Sequence, residues 1–299
     1  MAAANPIGFI GIGNMGAPMV RCLAKAGHAV LAYDTRADAT AAVAKSATGI
    51  AAATKPTEIA RACRIVITML PESRHVRDAL LGDSGIARAD SGFGKGCIVI
   101  DMSSSFPLDT RSLGETLAKA GIGMIDAPVS GGVGKAVTGT LAIMAGGDAA
   151  LIDQVEPVLK AMGSIHRTGA LGSGHAMKAL NNYVSAAGLV ATAEALIIGQ
   201  KFGLDGRVMT RVLNASTGRN NTTENKSERF MLSRTFDSGF ALALMEKDVG
   251  MARRLAEELG IGADELAFVS AYLTRALGHL GPAADHTAVL KFAEDNVKA

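Results

Sequence analysis

The chain of 299 residues has no tryptophan, only three tyrosines, three cysteines and eight prolines, and aromatic residues make up 4% of it. So few aromatics leave no stacking platform for nucleic-acid bases. Cys22, Cys63 and Cys97 are odd in number and far apart in sequence, which excludes a disulfide framework and a CxxC metal site and fits a reducing cytoplasm. Neither sign of charge dominates: 30 Lys and Arg face 28 Asp and Glu, a net charge of +2, and no dense basic block occurs. Nucleic acid and anionic membrane surfaces are therefore not expected as partners. Met1 to Pro6 lacks a basic segment and an apolar core, and Gly11, Gly13, Asn14 and Gly16 break the apolar stretch that follows. Neither a signal peptide nor a transmembrane span is expected. What is present is 48% hydrophobic and rich in glycine, with 35 of them, as in a folded chain with many close backbone approaches. Its length allows two domains of about 100–200 residues each.

The first half alternates short β-branched runs with alanine-rich helical stretches, the sequence form of a parallel sheet covered by crossover helices. Strands are expected at Ile7–Ile12, Ala29–Tyr33, Ile65–Leu70, Cys97–Asp101, Met124–Asp126, Thr140–Ala145 and near Ile165. Ile65-Val66-Ile67 and Ile98-Val99-Ile100 are apolar on successive residues, as strands buried on both faces must be. From Gly174 to Phe202 no proline interrupts a run rich in Ala, Leu, Val and Met. A single helix of roughly 28 residues, about 40 Å long, fits there and is long enough to link two domains. Apolar residues on nearly every side of it, among them Met177, Leu180, Val184, Ala187, Leu189 and Val190, imply burial by other helices or by a second subunit. Further helices are expected at Asp205–Ala215, Leu242–Leu259 and Asp264–Leu280. The fold class is therefore α/β: a doubly wound N-terminal sheet domain over residues 1–168 and an all-helical domain over 169–299 that begins with the long helix.

Gly11-x-Gly13-x-x-Gly16 follows the first strand and opens the amphipathic stretch Ala17–Ala26. Gly11 makes a tight turn, Gly13 lets a pyrophosphate approach the backbone, and Gly16 allows close helix–strand packing, with the anion at the helix N-terminus. Ile12, Asn14 and Met15 complete that cofactor-binding turn, and Asp34 ends the second strand at the spacing of the ribose-binding acid. Asp34 accepts ribose hydroxyls and repels a 2′-phosphate, so NAD is expected ahead of NADP. Arg36 is two residues further on and keeps NADP within reach, although a solvated surface charge is the simpler reading of it.

Four blocks together resemble the β-hydroxyacid dehydrogenases, the family of 3-hydroxyisobutyrate dehydrogenase and tartronate semialdehyde reductase. They are Gly8–Met19, Asp126-Ala-Pro-Val-Ser-Gly-Gly132, Gly172-Ser-Gly-His-Ala-Met-Lys-Ala-Leu-Asn-Asn182 and Lys247-Asp248, in the family's order across essentially the whole chain. The resemblance implies a Rossmann domain, a long interdomain helix, an all-helical C-terminal domain and an active site in the cleft. It further implies that Met69, Leu70, Pro71 and Ser104 line the ribose and nicotinamide, with Ser104 standing where many relatives have threonine. Lys247 is implied beside the cofactor and Phe240 as a neighbouring wall. Family members are dimers or tetramers, so a homo-oligomer is expected.

Oxidising an alcohol by hydride transfer needs a base for the hydroxyl proton, and the reverse reaction uses the same group as an acid. Lys178, in Met177-Lys178-Ala179-Leu180 on the long helix, is the candidate, because partial desolvation would lower its pKa toward neutrality. Asn182 is four residues later on the same face, where its amide can orient the reacting oxygen or hold the lysine head. Ser130, Gly131 and Gly132 offer a hydroxyl and unhindered backbone N–H groups, a cradle for a small carboxylate. Asp126 is read as a structural acceptor, not a base, and His175 as a helix-start hydrogen-bonding residue. The remaining histidines show no HxxH or HExxH spacing, so no metal is expected. The polar segment Ser216–Lys226 lacks the aromatic that relatives often carry near Asn220, which points to a more polar or larger substrate tail or to a solvated loop. The reading is an NAD(P)-dependent, cytoplasmic dehydrogenase acting on the CH–OH of a small β-hydroxy acid. Its rivals are an imine reductase on the same scaffold, disfavoured by Lys178, and a dinucleotide-binding scaffold or regulator without catalysis.

Overall fold

A computed structural model describes residues 5–296, so the first residues of the leader reading and the outermost ends of both expected domains lie outside the description. The chain divides into two compact units after Lys178, ten residues beyond the expected division and inside the long helix instead of before it.

The first unit is a nine-stranded sheet. Its strands are β1 (Ile7–Ile10), β2 (Val30–Tyr33), β3 (Ile50–Ala52), β4 (Ile65–Thr68), β5 (Ile98–Asp101), β6 (Gly123–Asp126), β7 (Val129–Ser130), β8 (Leu141–Gly146) and β9 (Gly163–Gly169). Their order is β3-β2-β1-β4-β5-β6-β8-β7, with β9 paired to β8. All pairings from β3 through β6 are parallel, as is β8 with β9, whereas β8 runs antiparallel to both β6 and β7. The doubly wound arrangement is as expected, with this antiparallel turn-back added at one end. Side chains alternate across the pleat, so Phe9, Ile67 and Ile100 enter one core and Ile10, Val66 and Val99 the other, on the opposite face of the sheet. That is why consecutive apolar residues are needed in β4 and β5.

The long helix spans Ser173–Phe202. It is apolar and long enough to cross a membrane by length and composition, yet half of its most apolar stretch is buried. Ala186, Leu189, Val190, Ala193 and Leu196 form, with Val249, Val269 and Leu273, the core of the helical second unit. Burial within the chain is one-sided, because Val184, Ile198 and Phe202 stay exposed. The other principal helices of that unit are Gly206–Asn214, Leu242–Glu258, Asp264–Leu280 and Val289–Asn296, and a π-helical turn occupies Ser227–Leu232.

Candidate active site

In the first unit, β1 pairs with β2 on one side and β4 on the other, so the chain reverses its winding there and opens a crevice at the strands' carboxyl ends. Gly11 has φ +105°, and a Cβ on it would collide with the Met69 carbonyl oxygen. Glycine is required at that position by both conformation and space. A Cβ on Gly13, by contrast, meets no atom within 4 Å. The helix Gly16–Lys25 that follows has neither a capping side chain nor an acidic residue in its first turn, which leaves the positive end of its dipole for an external anion. Asp34 Oδ2 accepts a 2.7 Å hydrogen bond from the Ile12 N–H, pinning the turn, and Asp34 Oδ1 accepts from the Arg36 N–H at 2.9 Å. Its remaining lone pairs can accept ribose hydroxyls. Arg36 is 61% exposed but not simply solvated, since its guanidinium lies 3.5 Å from Asp34 and donates to the Ile12 carbonyl. These residues fit a dinucleotide with its pyrophosphate on the Gly13 backbone.

Met69, Leu70 and Pro71 leave the end of β4 beside this turn. The Met69 N–H donates to the Ile10 carbonyl and the Leu70 N–H to Ser103 Oγ at 2.9 Å. Ser104 is half-buried in the segment after β5. Behind that segment lies a buried network that the sequence reading did not assemble. Asp101 accepts hydrogen bonds from Thr68, the Ser103 N–H and Ser105. The His175 ring is hydrogen-bonded to Thr110 Oγ1 and the Ser103 carbonyl, and it lies 3.7 Å from Asp101 and 3.6 Å from Asp126.

Asp126 Oδ1 accepts from the Gly172 N–H and Oδ2 from the His175 N–H, each at 2.7 Å, so this carboxylate at the end of β6 satisfies the otherwise unpaired amides at the start of the long helix. That is the structural role expected of it. Asp126→Ala strands two buried N–H groups and is expected to lower stability by about 2–4 kcal/mol. Denaturant unfolding checks this, and an unchanged midpoint would contradict the assignment.

The helix so anchored carries Lys178, half-buried, one turn beyond His175. Ser130 ends β7, and the two glycines after it have φ +131° and +66°, conformations that an L side chain rarely adopts. The Ser130 hydroxyl and the amides of Gly131 and Gly132 thus sit on a turn that only glycine permits.

In the second unit, Asn182 is buried and its Nδ2 donates to Asp248 Oδ2 at 2.6 Å, while Asn181 Nδ2 donates to Asn182 Oδ1 at 3.1 Å. Asp248 Oδ1 faces the Lys247 ammonium at 3.4 Å. Asp248, 3% exposed, is the residue that fixes the asparagine, and the sequence signal for it was the Lys247-Asp248 pair itself. Phe240 packs edge-on against His286, with ring centroids 5.4 Å apart. Among the described residues no group of three or more His, Cys, Asp or Glu side chains is arranged to hold a metal ion.

A parallel sheet that parts above a glycine turn, with an acid closing the neighbouring strand, makes the first unit a dinucleotide-binding domain. Residues 6–172 match the family model described as the NAD binding domain of 6-phosphogluconate dehydrogenase, and residues 172–293 match that described as NAD-binding of NADP-dependent 3-hydroxyisobutyrate dehydrogenase. The chain is 38% identical over 253 residues to 2-(hydroxymethyl)glutarate dehydrogenase of Eubacterium barkeri, covering 84% of this chain and 82% of that protein. It is 36% identical over 260 residues to mitochondrial 3-hydroxyisobutyrate dehydrogenase of Bos taurus, covering 85% of this chain and 76% of that one. The solved 3-hydroxyisobutyrate dehydrogenase of Mycobacterium tuberculosis with L-serine shares its fold at a TM-score of 0.88 and 31% identity over 99% of both chains. The chain belongs to the β-hydroxyacid dehydrogenase family. It is a dehydrogenase acting on CH–OH groups, with a nicotinamide dinucleotide as cofactor.

Proposed function

We propose that this enzyme interconverts a small β-hydroxy acid of the 3-hydroxyisobutyrate type and its semialdehyde or keto acid, with Lys178 as general acid/base. The observation that carries this reading is the placement of Lys178 and Asn182 four residues apart on one unbroken helix, hence on one face. The Ser130 hydroxyl with the Gly131 and Gly132 amides binds the substrate carboxylate. Lys178 Nζ takes the proton of the β-hydroxyl during oxidation and returns it during reduction. Asn182, held by Asp248, orients the reacting oxygen. When bound, the nicotinamide dinucleotide supplies the hydride acceptor or donor. Gly11 to Gly16 and Asp34 hold its pyrophosphate and ribose, and Met69, Leu70, Pro71 and Ser104 flank its nicotinamide end. Nicotinamide absorbance with 3-hydroxyisobutyrate, glycerate, serine and threonate tests the reading. Turnover of an imine but of no hydroxy acid would favour the imine-reductase alternative, and cofactor binding without any turnover the non-catalytic one.

NAD is the preferred cofactor in this reading, on the ground that Asp34 places a negative charge at the adenosine ribose. Asp34→Ser removes that charge and leaves Arg36 unpaired, and the ratio of kcat/KM for NAD over NADP is expected to fall by at least about tenfold. An unmoved ratio would show that Asp34 does not select the cofactor. The exposed stripe of Val184, Ile198 and Phe202 supports a subunit contact in a homodimer or homotetramer, which light scattering would count. A cytoplasmic location belongs to the same reading.

A further inference from the structure

His175 is 1% exposed, and its ring has two fixed partners. Thr110 Oγ1 lies 2.9 Å from Nδ1, and the Ser103 carbonyl oxygen lies 3.1 Å from Nε2. A carbonyl can only accept, so Nε2 carries the hydrogen of that bond. Ser103 is held at two other points by the sheet: its N–H donates to Asp101 Oδ1 at 3.0 Å, and its hydroxyl accepts from the Leu70 N–H at 2.9 Å. Asp101 ends β5 and Leu70 follows β4. The hold on the carbonyl comes from a different element, the helix Ser173–Phe202 that carries Lys178.

Ser103 sits at a junction. Its hydroxyl ties it to the Met69-Leu70-Pro71 segment, and Ser104 follows it in the chain. The carbonyl that His175 holds belongs to the planar peptide joining Ser103 to Ser104, so the imidazole sets the orientation of that plane. At the other end, His175 and Lys178 are three residues apart on one helix and share a face. Asp126 fixes where that helix begins by accepting from the Gly172 and His175 N–H groups, and the buried ring adds a bond away from the helix axis that fixes its rotation. His175, Ser103, Ser104 and Lys178 all belong to the first unit.

We propose that His175 is a positioning residue for hydride transfer, holding the Ser103–Ser104 peptide and the helix of Lys178 in one register through its bond to the Ser103 carbonyl. The inference rests on the dehydrogenase reading, in which Ser104 flanks the nicotinamide and Lys178 is the acid/base. Loss of the bond frees both the peptide plane and the helix to rotate, and an ångström of misplacement between reacting groups lowers the rate by about 10²-fold. Two amide side chains separate this role from simple filling of the core. Glutamine carries its amide nitrogen about as far from the backbone as Nε2 and keeps the donor for Ser103, whereas the asparagine amide ends near the position of Nδ1 and reaches only Thr110.

The test uses the full chain. Kd is measured by calorimetry for NADH and for ADP-ribose, which lacks the nicotinamide, and kcat with NAD and 3-hydroxyisobutyrate. His175→Asn is expected to weaken NADH about tenfold while ADP-ribose affinity stays the same, and to lower kcat about 10- to 100-fold with little change in KM for the acid. His175→Gln is expected to restore both. Thr110→Val removes the ring's other anchor with a side chain of the same shape and is expected to move the NADH to ADP-ribose ratio in the same direction by less; it stands in for His175→Asn if that variant does not fold. Equal losses for the two ligands, or an asparagine variant that behaves like the glutamine one, would overturn the proposal. Lys178→Ala, run beside them, separates the two readings. If it loses turnover while His175→Asn matches the unaltered protein, His175 alone is misassigned. If His175→Asn weakens NADH selectively but Lys178→Ala keeps its turnover, or 3-hydroxyisobutyrate is not oxidised at all, the hold on the nicotinamide segment stands and the acid/base reading beneath it fails.

Discussion

Replacing Lys178 by alanine is expected to lower kcat for β-hydroxy acid oxidation by about 10²–10⁴-fold, the contribution of a positioned acid/base, with little change in NADH affinity. Alanine is the strongest helix former, so the substitution keeps the helix Ser173–Phe202 intact. The start of that helix is fixed independently by Asp126, which accepts from the Gly172 and His175 N–H groups. Lost turnover therefore reports on the ammonium group and not on folding. A small primary amine added to the variant is expected to restore part of the rate by entering the space that the side chain leaves. Retention of most of the turnover would contradict the role given to Lys178.

Gly13→Val is the second large effect, expected to weaken NADH binding by at least about 10²-fold while thermal stability barely moves. The two outcomes separate because of local geometry. A Cβ at Gly13 meets nothing within 4 Å, and the residue does not adopt a left-handed conformation, so the protein itself accepts a side chain there. The pyrophosphate does not, because it needs direct access to that backbone. Gly11 is the contrasting case: its φ of +105° and the Met69 carbonyl make any side chain there a folding defect. Undiminished NADH affinity in Gly13→Val would mean that the dinucleotide binds elsewhere.

Much of the first unit was legible because its signals are local. Consecutive apolar residues in β4 and β5 are what a doubly covered strand requires, and the glycine turn announces the crevice by spacing alone. β3 escaped because Ile50–Ala52 is three residues long and set among alanines, which read as helix. β7 escaped because two residues carry no period, although Val129–Ser130 is what turns the chain back along β8. The division of the chain was expected before the long helix. It falls inside that helix because one continuous element serves both units.

At the candidate site, residues adjacent in sequence could be named in advance, such as Lys178 with Asn182 and Ser130 with its two glycines. Partnerships across long separations could not. Asn182 meets Asp248 across 66 residues and His175 meets Thr110 across 65, and only the folded chain brings these together. In the sequence Arg36 has the look of a solvated charge, because nothing there shows that its guanidinium folds back on Asp34 and the Ile12 carbonyl. The polar segment ending at Lys226 was visible as a compositional oddity, but the seating of its lysine on Ser185 was not.

The most direct test of the central claim follows the transferred atom. The purified protein is given NAD and 3-hydroxyisobutyrate deuterated at the carbinol carbon, and the recovered nicotinamide is examined by mass spectrometry. Deuterium carried into the reduced nicotinamide, at a rate that falls about 10²–10⁴-fold with Lys178→Ala, is the expected result. Reduction of NAD without label, or no reduction with any β-hydroxy acid of one or two carboxylates, would contradict the assignment of this chain as a β-hydroxy acid dehydrogenase working through Lys178.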